Sequence, residues 1–222
     1  MKKLYISNKD ESVRMFKSNF LEIFSKVHWT VPLFIFVPTI GFLLFQAFSS
    51  STTSLTTIII WFVGGIGVWT ITEYFLHRFV FHYEPPGKIG KRLHFIFHGV
   101  HHDYPNDSWR LVMPPAVSIP LAYLFYLLFR SLVPGDEFYA FFAGFLAGYL
   151  CYDMLHYAIH HAPMKGKIWM ALKAHHLKHH FKDPDKGYGV SSPIWDVVIG
   201  TQFKSGKIKE KGSLTSPVER VK

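Results

Sequence analysis

Four stretches of this chain are apolar on every side. Val31–Phe48, Leu55–Phe75, Pro114–Val133 and Phe138–Tyr157 each approach the roughly 20 residues that an α-helix needs to cross about 30 Å of hydrocarbon. Runs such as TTIIIWFVGGIGVWTITEYF lack the polar face of an amphipathic helix, which argues against the buried core of a soluble helical protein. Pro32, Pro38 and Pro120 are tolerated inside membrane helices. Arg130 sits near the end of the third stretch, where a long side chain snorkels to the interface. The pattern predicts four transmembrane helices arranged as two hairpins with short turns.

Charge sets the orientation. Lys and Arg number six in residues 1–30, five in 75–113 and twelve in 162–222, while the Ser49–Ser54 loop has none. The turn at 130–137 has only Arg130, beside Asp136 and Glu137. The positive-inside rule places both termini and the 75–113 loop in the cytoplasm. The expected layout is a basic cytosolic segment over 1–26, a membrane-embedded domain over 27–203 and a basic tail over 204–222. Composition agrees: aromatic residues reach 18% and charged residues only 18%, against about 25% charged in soluble domains. The net charge of +9 would also suit nucleic acid, but no basic stretch is interleaved with aromatics and no nucleic-acid motif is present. Cys151 is the only cysteine, so neither an intrachain disulfide nor a thiolate metal site is expected. The N-terminus lacks the basic start, apolar run and cleavage site of a signal peptide.

The chemistry lies in the histidines. Of 14, only His28 falls outside residues 77–180. They form four groups: His77 and His82; His98, His101 and His102; His156 and His160; and His176, His179 and His180. Each group occupies a segment assigned to the cytoplasmic side. On a helix, positions i, i+3 and i+4 share a face, which fits the second and fourth groups, and His156 and His160 are an i, i+4 pair. His77 and His82 are five apart, about 140° around an ideal helix, so they serve different metals or the helix distorts between them. Imidazole suits iron, zinc, copper and nickel. Ten ligands are too many for one ion, and two ions with about five nitrogens each is the economical reading. His94, His161 and His175 exceed the pattern and are expected to support ligands or lie at the surface. His28 reads as an isolated surface residue. A metal-scavenging tail does not fit rings embedded in periodic apolar sequence.

These segments resemble the fatty acid hydroxylase superfamily, also called the sterol desaturase family, with its HxxxxH, HxxHH, HxxxH and HxxHH boxes. The similarity is closest to fatty acid 2-hydroxylases. It rests on HGVHHDYPNDSWRLVMPP (98–115), YLCYDMLHYAIHH (149–161), HLKHHF (176–181) and GVSSPIWDVVIGT (189–201). The resemblance implies an all-α integral membrane protein of four transmembrane helices carrying a cytosolic helical cap, with a His-rich dimetal site between them. Its implied ligands are the ten histidines of the four groups. It implies use of O2 and two electrons to hydroxylate a lipid, at C2 of a fatty acid or of the N-acyl chain of a sphingolipid. A sterol or carotenoid hydroxylase or desaturase would use the same boxes, and a His-rich metal transporter is the reading from another class. Nothing in residues 1–26 resembles the haem-binding turn of the cytochrome b5 domain fused to many eukaryotic members. Electrons are therefore expected from a separate cytochrome b5-like or ferredoxin-type donor. A bacterial inner membrane is the favoured location, with the endoplasmic reticulum for a eukaryotic chain.

Zinc has no redox chemistry, so iron is expected in the active enzyme, with zinc possible in purified protein. Intramembrane acids usually face the protein interior, and Asp153, with Tyr152, is expected to orient ligand histidines or the substrate head end. Arg110 is expected to hold an acyl carbonyl or headgroup. Trp109, Trp169 and Trp195 suit the membrane interface or a lipid entrance. The Lys204–Lys222 tail would attract an acidic electron carrier or anionic lipid.

Overall fold

The computed structural model describes residues 4–203, so the expected basic tail over 204–222 lies outside the described residues. Among these residues every regular element is helical. A short helix, α1 (Asn19–Phe24), precedes α2 (Val31–Ser49) and α3 (Leu55–Phe75), and α3 continues into a π-helical segment, Leu76–Phe81. Next come α4 (Gly87–His94), a second π segment (Phe95–Gly99) and α5 (Val100–Asp103). The chain closes with α6 (Pro115–Leu132), α7 (Glu137–His161), α8 (Lys167–Phe181) and α9 (Ile194–Ile199). Helices α2, α3 with its π extension, α6 and α7 are long and apolar enough to cross a membrane.

The two interspan turns meet at one end, where the Ser50 hydroxyl donates to Asp136 at 2.7 Å. The histidine-bearing helices therefore gather at the other. Phe34, Phe45, Ile60 and Leu124 are each more than half exposed, a state that only hydrocarbon stabilises. Helix α7 is the axis of the bundle: 15 of its 25 residues are buried, against 4 of 19 in α2, 5 of 21 in α3 and 2 of 18 in α6. Its small residues permit this. A Cβ on Gly144 would lie 1.9 Å from the Phe62 carbonyl oxygen, and one on Gly65 would lie 2.0 Å from that of Phe141. The α3 and α7 backbones thus touch, as small residues allow in membrane helix packing. Around that crossing Trp69, Phe141, Phe142, Phe145 and Tyr149 form the core.

The basic N-terminal segment expected over 1–26 is hydrogen-bonded to α4 and to the chain from Asp103 to Trp109. The Ile6 and Ser7 amides donate to the Asp103 carbonyl, and the Val27 amide donates to that of Trp109. Ser12 bonds Asp107, and Arg92 bonds the Met15 carbonyl. Residues 4–27 thus form a strap across the histidine end.

The α3–α7 crossing makes Gly144→Val costly, because overpacking a tight contact destabilises by about 1–3 kcal/mol. Gly41→Val is the control, since a Cβ there meets nothing within 4 Å. Thermal melting in detergent should fall for the first and hold for the second.

Candidate metal centre

The ten patterned histidines come together as two groups of five. The first holds His77, His82, His98, His102 and His179, and the second His101, His156, His160, His176 and His180. Within each group the ligand nitrogens lie within 4.8 Å of one another. The groups adjoin: the His102 ring of the first stacks on His180 of the second, with centroids 4.4 Å apart.

Helical geometry explains the division. His98 and His102 are an i, i+4 pair aimed at the first group, while His101, one position off that row, turns to the second. Helix α8 repeats the device: His176 and His180 serve the second group and His179 the first. The i, i+4 row at the end of α7, His156 and His160, completes the second group. The five-residue interval between His77 and His82 is accommodated by a helix distortion. The His82 amide donates to the His77 carbonyl at 3.1 Å, an i→i+5 bond that defines a π turn and brings the two rings to one side, centroids 5.0 Å apart. Both then belong to one group rather than to two.

Three rings are aimed by backbone carbonyls. His77 Nδ1 donates to Tyr188 at 2.5 Å, His179 Nδ1 to Lys186 at 2.8 Å and His156 Nδ1 to Leu111 at 3.0 Å. Donation through Nδ1 leaves Nε2 with a lone pair. Between Lys186 and Tyr188 sits Gly187 at φ 72°, a left-handed conformation that lets both flanking carbonyls face the first group. Two buried carboxylates hold this loop. Glu73 accepts from the Val190 and Ser191 amides at 2.6 and 2.8 Å and from the Ser191 hydroxyl. Asp196 accepts from the Tyr188 and Gly189 amides at 2.9 and 2.8 Å, from Thr201 at 2.7 Å and from His175 at 3.1 Å. Sequence reasoning assigned neither acid a role. The signals available were an acid inside the second apolar stretch, which is costly unless used, and the aspartate of the 189–201 segment.

The donor set fits metal. Nε2 atoms of neighbouring rings stand 3.0–3.2 Å apart in the first group and 3.0 Å apart for His101–His156 and His176–His180 in the second. Two nitrogens about 2.1 Å from one ion and at right angles to each other would be about 3.0 Å apart. Both ring nitrogens of His160 are buried without a protein partner. Burial, reinforced by mutual repulsion among the rings, keeps them neutral. It pushes His82 down to about 2, and holds His98, His101, His102, His176 and His180 well below the ordinary 6.5. Burial likewise brings His179 down to about 4, against the opposing bond to Lys186.

The remaining candidates fall elsewhere. Asp153 hydrogen-bonds to backbone and tyrosine rather than to histidine: it accepts from the Met113 amide at 3.2 Å and from the Tyr149 hydroxyl at 3.0 Å. It thereby fixes the strand of chain whose Leu111 carbonyl aims His156. Tyr152 lies parallel to the His156 ring, centroids 5.9 Å apart. The Arg110 guanidinium is buried, giving Nη1 to Asp107 and Nη2 to Glu22, both at 2.8 Å. Its Nε is buried without a partner. His175 supports the first group through Asp196, His161 stacks on Tyr157 at 4.9 Å and His94 lies beside Gly99. His28 is exposed and bonds Thr30. Trp109 and Trp169 are exposed, and Trp195 donates to Thr70 at 3.0 Å. An apolar cavity of about 250 Å³ runs to the centre, with His98, His101 and His156 in its wall beside Arg110, Tyr152 and Asp153.

A four-span helical membrane protein with a cap of histidine-bearing helices is the class this geometry defines. Residues 62–201 match the fatty acid hydroxylase family, and the chain belongs to that family. It is 38% identical over 192 residues to a dihydroceramide fatty acyl 2-hydroxylase of Arabidopsis thaliana, covering 86% of this chain and 80% of the relative. It is 38% identical to the fatty acid 2-hydroxylase of Rattus norvegicus, covering 85% of this chain and 56% of the relative. With a ceramide very long chain fatty acid hydroxylase of Saccharomyces cerevisiae it shares 40% identity, covering 82% of this chain and 48% of the relative. The chain thus spans about half of the rat and yeast proteins. A solved structure described as full-length scs7p, with only its hydroxylase domain visible, superposes with a TM-score of 0.79 at 39% identity. That match covers 84% of this chain and 70% of the other.

Two outcomes are expected. Asp196→Asn weakens the grip on the Lys186–Tyr188 carbonyls, and loss of such supporting bonds lowers metal affinity about 10–100-fold, measurable by competition with a chelator. Acid should unfold the metal-free protein. These rings are neutral when folded and titrate near 6.5 when unfolded, so their contribution is intact above about 6.5 and is lost as the pH falls toward the folded values. Melting of chelated protein should weaken progressively below about pH 6.5; an unchanged melting temperature down to pH 5 would contradict this.

Proposed function

We propose that this chain is an O2-dependent lipid hydroxylase acting at C2 of a fatty acid or of a sphingolipid N-acyl chain. The observation that carries this reading is the paired five-imidazole groups opening onto one apolar cavity. The names of the relatives, which specify fatty acyl 2-hydroxylation, support the substrate and position. The reaction balances as R–H + O2 + two electrons + two protons giving R–OH + H2O.

On this reading the ten histidines hold two metal ions, five to each, and the ions are iron in the active enzyme. When bound they supply the redox chemistry that activates O2. The protein supplies the rest. Carbonyl acceptors at Leu111, Lys186 and Tyr188 keep Nε2 lone pairs turned inward, and burial keeps the rings uncharged. Apolar walls exclude water from the reacting carbon. Arg110, its terminal nitrogens held by Asp107 and Glu22, lies in the cavity wall, where it holds the acyl carbonyl or headgroup. Asp153 is a positioning residue for His156 and Tyr152 a wall of the substrate site. The cap and both termini face the cytoplasm, where a separate cytochrome b5-like or ferredoxin-type carrier delivers electrons. The location is an inner membrane in a bacterium and the endoplasmic reticulum in a eukaryote. The chain is divided as a segment over 1–26, a hydroxylase domain over 27–203 and a tail over 204–222.

The test is turnover with a C2-deuterated acyl substrate and a reducing system, using protein reconstituted with Fe(II) or Zn(II). Zinc binds nitrogen sites more tightly than Fe(II), so protein prepared without added iron should carry zinc and be inactive. Iron-loaded protein should yield the 2-hydroxy product with loss of one deuterium. Turnover by zinc-only protein would overturn the metal assignment, and oxygen placed on a sterol or carotenoid instead would overturn the substrate.

A further inference from the structure

The inner cavity has a second neighbour. A groove outside it is lined by Ile23, Val27, Pro115, Ile119 and Pro120, with Lys26 as its single charged residue, together with Phe24 and Ala116. Phe24 and Ala116 also line the inner cavity. The two spaces therefore share a boundary made of one residue from the N-terminal strap and one from the first turn of α6.

The surroundings identify what passes there. Helix α6 is the most lipid-facing of the four spans, only 11% buried. The groove opens among its first turns, where Ile119 is exposed beside exposed Ile23 and Phe24 of the strap. Apolar side chains at the end of a membrane span, left open to the outside, are covered by hydrocarbon rather than water. The inner wall of the same passage is the strap itself, through Met15, Phe16, Leu21 and Phe24, and it ends at imidazoles from both groups.

The strap is fixed from within. Glu22 accepts from the Met15 and Phe16 amides, both at 2.9 Å, and from Arg110. Although burial opposes its charge, those amides and the Arg110 guanidinium hold its carboxyl below the usual range. The polar anchor thus faces the protein interior, and the apolar side of α1 is left to the boundary with α6.

We propose that the acyl chain of a bilayer-resident lipid enters the histidine-lined cavity sideways, between the N-terminal strap and the first turns of α6, with Phe24 and Ala116 as the two sides of the doorway. The strap is then a determinant of which acyl chains reach the centre. This rests on the oxygenase reading only in taking the inner cavity as the place where an acyl chain reacts.

The test uses full-length protein in phosphatidylcholine vesicles with a ceramide whose N-acyl chain carries a diazirine. In a Cys151→Ser background, Ala116→Cys is left free or capped with a bulky maleimide, and Phe24→Cys is treated in the same way. Illumination and peptide mapping then locate the adducts. The uncapped proteins should be labelled inside, over Leu111–Pro114, which line only the inner cavity, and outside on the lipid-facing Leu127. Capping at either position should abolish the inner adducts and leave those at Leu127. Inner adducts that persist with both caps in place would overturn the doorway. Unchanged melting of the capped proteins separates a blocked passage from a damaged fold, and if one cap lowers melting the other decides. Hydroxylation by the uncapped protein is measured alongside: inner labelling without turnover would refute the oxygenase reading and leave the doorway standing.

Discussion

Ten imidazoles crowded into one dry volume repel one another as soon as they take up protons, and burial penalises each charge further. The arrangement persists only if every ring stays neutral and presents a lone pair inward. Several rings meet that requirement by donating Nδ1 to a backbone carbonyl. Those carbonyls need fixing in turn, which explains why carboxylates are buried at this end of the bundle. Glu73 and Asp196 hold the loop that carries two of them, and Asp153 holds the segment that carries the third. A buried acid is costly without partners, and here each acid spends its lone pairs on amides and hydroxyls that set a ring's direction.

The bundle serves the same end. The close α3–α7 crossing at Gly65 and Gly144 makes α7 a rigid axis, and His156 and His160 project from its last turns. The π segment ending α3 sets His77 and His82 on one side, a rearrangement that a regular helix does not permit. Rigid spans delivering ligands to a boundary between hydrocarbon and a polar cap give one region both metal-binding donors and an apolar approach. This juxtaposition is what oxidation of a lipid chain requires: charge-neutral nitrogen donors on one side and a dry passage on the other.

The N-terminal strap joins these two halves. Its acid, Glu22, aligns Arg110 in the cavity wall, while its apolar residues line the passage. A single short segment thereby orients the Arg110 guanidinium and bounds the apolar cavity beside the histidines.

Sequence alone determined the four spans, their pairing into hairpins and the ten histidines, because hydrophobic length and one-residue-type periodicity are local properties of the chain. Even the oddity at His77 and His82 was legible as a conflict with the ideal helix. The division of these rings into two groups was not. His98 and His101 share a face by spacing yet point into different groups, since small rotations about a helix axis are set by what the helix packs against. The partners of Arg110 and of Glu73 were equally hidden: Glu22 is 88 residues from Arg110 and Glu73 is 117 from Val190. Pairings across such distances exist only after tertiary packing has removed water from both partners, and no local pattern encodes that.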